Sequence, residues 1–282
     1  MRLPLMDLTY RKFILSNSME RRVGIHEEAL AIKENGKFQN EWVPKDYLRT
    51  YYSELEPDEV DTIKFFVDAV KKVDHSGPVL IFGTGPALHH AFLLATNEIH
   101  VADYLPENLR EIKKWVDNDE DAHNWKPFVK YTLQCEGTPS PTDEEIIARE
   151  DLVRSKITKY IQVDAGDTDP LGTEKRESYG LVLSPYCADS ATGDKDIWKK
   201  YMRNISSVVK PGGTFITAAL RDCASYEVGN RTFPCANINE KDMKKLFRTL
   251  DFSSRNTNIE YRELEGHGYT GIVLAHGLKN PK

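Results

Sequence analysis

Cysteine is scarce in this sequence: Cys135, Cys187, Cys223 and Cys235 are the only four among 282 residues, and no two stand in CxxC spacing. That argues against a disulfide scaffold and against a thiolate zinc knuckle, leaving reduced thiols in a cytoplasmic protein and no bound metal as the expectation. Long apolar runs are missing too. The opening MRLPLMDLTYRKF has no uninterrupted hydrophobic core of the kind a secretory leader carries, and no apolar segment is long enough to span a bilayer, so no membrane partner is expected. Dense runs of Lys and Arg are absent, and 38 basic against 44 acidic residues leave a formal charge of −6, which gives nucleic acid nothing to hold. There is no internal repeat.

What is present is enough to bury a sizeable core. With 40% hydrophobic and 29% charged residues, the chain fits one large α/β domain with an appendage. PDEVDTIKFFVDAVKK places Val60, Ile63, Val67 and Val70 on one helical face, and the buried-strand pattern PVLIF (78–82) follows it. EIHVAD is a second strand, and PENLREIKKWV carries Leu109, Ile112 and Trp115 on one stripe behind a proline at the helix start. KYIQVDA, YGLVLSP and TFITAAL read as three more strands. Between the last two, Ile197, Tyr201, Ile205 and Val208 recur at helical spacing before Pro211 and two glycines. Strands separated by helices imply a parallel sheet with right-handed crossovers. After a helix around Asn239 to Leu250, NIEYREL and TGIVLAHGL have no helix between them, which predicts an antiparallel pair at one sheet edge. Two segments stand outside the alternation. Residues 1–55 are expected to form a helical, aromatic-rich lid on a main domain spanning 56–282, and CEGTPSPTDEEIIAREDLVRSK reads as a solvated insertion with one amphipathic helix.

The most informative turn is Gly83-Thr84-Gly85-Pro86, between the first strand and an apolar stretch of helical spacing. Glycines there let a ligand approach bare backbone, and a helix start behind them, with Pro86 at its first position, favours a negative group. A dinucleotide site wants a third glycine three residues after Gly85, but that place is Leu88, which weakens a pyrophosphate reading and a nicotinamide-dependent oxidoreductase with it. The short floor suits the carboxylate end of an amino acid. Asp103 ends the next strand, 20 positions after Gly83, where it can accept from a ribose hydroxyl pair. A ribose joined to an amino-acid arm describes S-adenosylmethionine, and Asp164 and VVKPGG continue the pattern.

These residues also resemble a known family. VPKDYLRTYY (43–52), GTGPALHHAFLLA (83–95), VADYLPENLREIKKWVDNDEDAHNWKPFVKYTLQCEG (101–137), DAGDTDPLG, LVLSPYCADSA and VKPGGTF are similar, in that order, to the nicotinamide, phenylethanolamine and indolethylamine N-methyltransferases, a family that includes thioether methyltransferases. The resemblance covers about Trp42 to the C-terminus. It implies a Rossmann-like class I methyltransferase with a seven-stranded mixed sheet, an antiparallel C-terminal hairpin and an N-terminal helical lid. It also implies a monomer that binds S-adenosylmethionine and methylates a nitrogen of a small-molecule amine or heterocycle. On the same ground Tyr47 would separate cofactor from acceptor and Tyr52 would touch the cofactor. Gly83, Thr84, Gly85 and Pro86 would floor the methionine arm, with His89, where relatives tend to carry Tyr, beside it. Asp103, Tyr104 and Asn108 would hold the ribose, Asp164 and Ala165 would flank the adenine, and Ser184 and Pro185 would lie near the sulfonium. Tyr186 would face the acceptor.

Two departures bear on substrate. Relatives usually carry an acid two residues before the glycine turn, here Ile81, and the nicotinamide-type enzymes carry an Asp soon after the PGG strand, here Ala218, so nicotinamide is not the expected acceptor. Arg221, Asp222 and Tyr226 lie just beyond, and Glu263, Glu265, His267 and Tyr269 in the last hairpin are placed to meet them. Tyr47, Tyr186, Asp222 and Tyr226 are therefore the candidate catalytic residues. An alkylamine arrives protonated, so a carboxylate or histidine must bind the ammonium or take its proton, whereas a pyridine-like nitrogen or a thioether needs no base. His89 and His90 are neighbours on an expected helix and would diverge by about 100°, so only one can face a ligand. S- or O-methylation, and a cofactor-binding protein without turnover, remain the alternatives.

Overall fold

The computed structural model describes residues 37–73, 76–264 and 268–282 of the chain. The first 36 residues of the expected lid, and Glu265 and His267, lie outside the described residues. Seven strands form one sheet in the order β3-β2-β1-β4-β5-β9-β8. They are β1 (Val79–Phe82), β2 (Ile99–Asp103), β3 (Ile157–Gln162), β4 (Tyr179–Pro185), β5 (Val209–Arg221), β8 (Phe252–Glu263) and β9 (Gly271–Lys279). The first five run parallel, and β9 pairs antiparallel with both β5 and β8, as the helix-free tail requires. All four residues of β1 are buried, as expected of a parallel strand covered on both faces, while β3 at the edge is largely exposed. The strand order reverses at β1, which pairs with β2 on one side and β4 on the other, so a crevice opens beyond their carboxyl ends.

Helices cover both faces. Those in chain order are α1 (Pro44–Tyr51), α2 (Pro57–Val70), α3 (Pro106–Val116), α4 (Lys126–Glu136), α5 (Asp143–Lys156), α6 (Lys195–Ser206) and α7 (Glu240–Phe247). Proline opens α1, α2, α3 and α4 within their first two positions, where its missing N–H costs nothing. Thr142 and Asn239 close capping boxes on α5 and α7, and Asp194 accepts from two N–H groups at the start of α6. One core layer gathers Ile63, Phe66, Phe92, Trp125 and Phe128 on one side of the sheet, and a second gathers Trp198, Ile205, Phe215, Met243 and Phe247 on the other.

Three details differ from the sequence reading. The segment ending in α5 is not a solvated insertion: Ile146 and Val153 are buried, and Arg149 ties Glu136 of α4 to the Phe92 carbonyl. Its charged exposed faces hid one apolar edge. The Gly83-Gly85 turn does not lead into an α-helix at Pro86; the chain makes a turn and then only a short 3₁₀ segment, His89–Leu94, so the helix-terminus argument for an anion there falls away. After β5, a small hairpin of β6 (Ser225–Val228) and β7 (Arg231–Pro234) appears that no periodicity announced.

Candidate functional site

The crevice at the switch point is a cavity of about 330 Å³. Its floor is backbone. Gly83 and Gly85 both take the left-handed conformation, with φ of 69° and 63°. A Cβ on Gly83 would lie 2.0 Å from the Cys187 Sγ, so only glycine fits that position. The turn is pinned by Gly83 and Thr84 N–H groups donating to the Ala102 carbonyl at 2.8 and 3.0 Å. Gly85 N–H donates to Asp103 Oδ2 at 2.7 Å, which joins the ends of β1 and β2.

Asp103 is buried, and its Oδ1 also accepts from Leu105 N–H and Asn108 Nδ2, both at 2.9 Å. Burial pushes its carboxyl above the usual range against the pull of those N–H donors. Oδ1 takes the Leu105 and Asn108 donors and Oδ2 the Gly85 N–H, so both oxygens are anchored at the mouth of the crevice. Beyond β3, Asp164 accepts from Gly166 N–H at 2.6 Å, and Asn204 Nδ2 donates to the Ala165 carbonyl at 2.8 Å, so both residues are held at the far end of the cavity.

The roof is aromatic. A helical stretch at residues 37–41, α1 and the β6–β7 hairpin interlock through Phe38 stacked on Phe233 at 4.9 Å, Trp42 edge-on to Phe233 at 5.3 Å and Tyr226 stacked on Phe233 at 5.8 Å. Tyr51 donates its hydroxyl to the Glu227 carbonyl at 2.7 Å, and Trp42 Nε1 donates to Asn108 Oδ1 at 2.8 Å. Roof and floor are thus latched together beside Asp103.

On the side wall, α2 supplies carboxylates. Asp58 Oδ2 accepts from the Tyr269 hydroxyl at 2.7 Å, and Thr62 shares a 2.6 Å hydrogen bond with the Tyr186 hydroxyl. Tyr186 itself sits at φ 50°, a conformation rare for a bulky residue, fixed by its N–H donating to the Ala218 carbonyl at 2.8 Å. Glu59 is buried against His89 and His90, and its Oε1 accepts from the Tyr52 hydroxyl at 3.3 Å. Burial raises the Glu59 carboxyl to about 7 and lowers His89 to about 3, so both imidazoles are neutral at physiological pH. Burial also raises Tyr47, Tyr52, Tyr186, Tyr226 and Tyr269, which keeps these phenols neutral; they can donate and stack but not serve as bases.

Of the sequence-predicted residues, Tyr47, Tyr52, Gly83, Thr84, Gly85 and His89 line the cavity together with Asp103, Tyr104, Asn108, Asp164, Ala165, Pro185, Tyr186 and Tyr226. Three do not. Asp222 leaves the end of β5 at φ 50° and faces away, accepting from Asn239 Nδ2 and the Thr270 hydroxyl at 3.1 and 3.0 Å; it ties α7 to the last hairpin. Ser184 precedes Pro185 on β4, where side chains alternate, so its hydroxyl is sealed in protein. Pro86 is buried and does not line the cavity. Asp58 and Glu59 were missed, and the expectation that only one of His89 and His90 can face a ligand fails, since both line the cavity from a 3₁₀ segment rather than an α-helix. A signal existed in α2, since Glu59 stands at −4 from Ile63 and so on the buried stripe that the valines appeared to own.

The profile of the NNMT/PNMT/TEMT family matches residues 30–271 of the chain. The indolethylamine N-methyltransferase of Mus musculus is 28% identical over 220 residues, covering 75% of this chain and 82% of the relative. The nicotinamide N-methyltransferase of Homo sapiens is 26% identical over 244 residues, covering 82% and 87%. Among solved structures, the S-adenosylhomocysteine complex of a Burkholderia thailandensis 1,6-didemethyltoxoflavin-N1-methyltransferase superposes with a TM-score of 0.51 at 13% identity, covering 99% of this chain and 93% of that one. At that identity the superposition speaks for the fold.

Proposed function

We propose, from the premise that this chain belongs to the NNMT/PNMT/TEMT family of S-adenosylmethionine-dependent methyltransferases, that its cavity carries methyl transfer to a nitrogen of a small-molecule amine or N-heterocycle. The observation that carries the reading is the bare Gly83-Thr84-Gly85 floor hydrogen-bonded to Asp103 under a tyrosine roof. Gly83 packs its bare Cα against Cys187 while Gly85 is open on its Cβ side, nothing lying nearer than Tyr47 at 3.9 Å, and Asp103 stands beside that opening, so the residues present fit a nucleoside with an amino-acid arm. Bound there, the cofactor supplies an electrophilic methyl group on its sulfonium. The chain's own task is then alignment and exclusion of water, which can account for most of the rate.

Gly83 to Gly85 and His89 face the methionine arm, Asp103, Tyr104 and Asn108 the ribose, and Asp164 and Ala165 the adenine. Tyr47 and Tyr186 wall the acceptor. For a cationic acceptor, the Asp58 carboxylate, held by Tyr269, supplies the negative partner that Asp222 does not, while the tyrosine faces of the roof favour an ammonium. Acting as a monomer and in the cytoplasm belongs to the same reading. Residues 1–55 act as the lid of a 56–282 catalytic domain.

Calorimetry with S-adenosylhomocysteine on the wild type and on Asp103→Ala tests the cofactor half: a loss of at least about tenfold in affinity is expected, since a charge-assisted hydrogen bond is at stake. Equal binding by both sinks the ribose assignment. Product masses from a panel of amines, azaarenes, thiols and phenols test the acceptor half, and methylation of sulfur or oxygen alone refutes it.

A further inference from the structure

Glu59, His89 and His90 meet in a way that neither packing nor hydrogen bonding explains. They are 4%, 2% and 5% exposed, and one ligand atom from each lies within 4.8 Å of the others. Glu59 Oε2 is 2.9 Å from His89 Nε2 and 3.5 Å from His90 Nε2, yet all three atoms lack an aligned hydrogen-bond partner. Leaving such groups unpaired in a dry interior costs several kcal/mol in sum. Each neutral imidazole carries its own N–H, but neither Nε2 is aligned to donate to Oε2, and His89 Nδ1 has no partner either, so protons on the rings leave both contacts unmade. A cation among the three atoms satisfies them all at once.

We propose that Glu59, His89 and His90 form a binding site for one divalent transition ion of the zinc class. Bonds of about 2.0–2.2 Å at tetrahedral or octahedral angles hold ligand atoms about 3.0–3.5 Å apart, and direct each lone pair at the ion rather than at its neighbour. The two measured separations span that range, and the missing alignment is what shared ligation produces. Two imidazoles and one carboxylate suit zinc, cobalt, nickel or ferrous iron and disfavour magnesium and calcium, which want oxygen. The ligands are held in place: Tyr52 donates to the other carboxylate oxygen at 3.3 Å, and the His89 ring is fixed by packing, 5.7 Å from and stacked on Trp125 and 4.7 Å from Tyr52. The convergence comes from the backbone. Both histidines open the short 3₁₀ segment, and their ring centroids are 3.8 Å apart, where an α-helix would have splayed them. Three protein ligands leave a four-coordinate ion at least one position for another donor, and all three residues line the cavity.

The test uses the full chain stripped with a chelator, then loaded with Zn²⁺ or Co²⁺ and desalted. Metal content, the visible spectrum of the Co²⁺ form, the melting profile and S-adenosylhomocysteine binding are read on the wild type, Glu59→Gln and His90→Asn. One retained ion per wild-type chain, with affinity at least about 100-fold weaker in both variants, is expected, since even outer-shell changes cost 10–100-fold. A cooperatively melting wild type that retains no ion overturns the site, as does equal retention by the variants. The inference goes beyond the methyl-transfer reading and fails separately from it: S-adenosylhomocysteine binding without metal uptake removes only the ion, and metal uptake without nucleoside binding removes only the methyl-transfer reading.

Discussion

Replacing Gly83 by alanine tests the floor of the cavity directly. The residue sits at φ 69°, and the new Cβ would meet Cys187 Sγ at 2.0 Å and Cys187 Cβ at 2.5 Å. The backbone share of the cost is about 1 kcal/mol, and forcing a methyl into filled space adds about 1–3 kcal/mol. The chain cannot slide away, because Gly83 and Thr84 N–H both hold the Ala102 carbonyl. A total of about 2–4 kcal/mol in a domain of this size lowers the melting temperature by roughly 5–15 °C. Thermal melting of Gly83→Ala, Cys187→Gly and the double variant separates the two shares. The double variant should recover the steric part, giving a coupling of more than about 0.5 kcal/mol. S-adenosylhomocysteine affinity should fall in Gly83→Ala, since relieving the clash with Cys187 displaces the turn that forms the floor. Unchanged melting and binding in Gly83→Ala, or no relief from Cys187→Gly, would refute the drawn turn.

Three further outcomes are expected. Asp58→Asn should raise KM for cationic amines roughly 10-fold while leaving S-adenosylhomocysteine affinity near wild type, as loss of one half-buried ion contact costs about 1.4 kcal/mol; an equal effect on a neutral azaarene would contradict the role. Trp42→Phe keeps the ring packing but loses the 2.8 Å bond to Asn108, so dissociation of S-adenosylhomocysteine in stopped flow should speed up several-fold, and an unchanged rate would show that this latch does not hold the roof down. Asp189 is buried, and burial raises its carboxyl from 3.8 to about 7. Its folded form therefore binds a proton more tightly than its unfolded form, so the contribution to stability is present below about pH 4 and is lost as pH rises through about 7, to at most about 4 kcal/mol. Denaturant unfolding across that window should fall less steeply in Asp189→Asn; parallel profiles would discard the assignment.

The parts of this molecule that repeat were legible, and the parts made by convergence were not. Parallel strands announce themselves as apolar runs between helices, so the strands, the antiparallel tail and the glycine turn could be placed from residues alone, whereas the seven-stranded sheet came with the family resemblance and its strand order was not read. Asp103 could be found because its position relative to Gly83 is set by one βα unit. Asp222, by contrast, looked catalytic by proximity in sequence, but one residue at φ 50° turned it from the cavity to α7. The β6–β7 hairpin escaped because its four-residue strands are too short to show a period and their stability comes from Phe38, Trp42 and Tyr51 across the cavity.

The same distinction explains why family was readable and acceptor was not. The contacts proposed for the cofactor lie on backbone and on side chains at strand ends, whose positions the sheet dictates. The wall proposed for the acceptor joins Asp58 of α2 to Tyr269 from before β9, and Tyr186 from beyond β4 to Thr62 buried in α2, by hydrogen bonds of 2.7 and 2.6 Å between residues as much as 211 positions apart. No local pattern can encode such a meeting, because each residue is locally ordinary: an acid and a threonine in a helix's first turns, and two tyrosines near turns. Specificity in this fold is therefore free to change by single substitutions that leave the sheet untouched. The departure at Ala218, buried and in register with Pro185 on the neighbouring strand, fits that freedom, since a small apolar residue there offers an acceptor no polar group and is why the proposed reading places that work on α2.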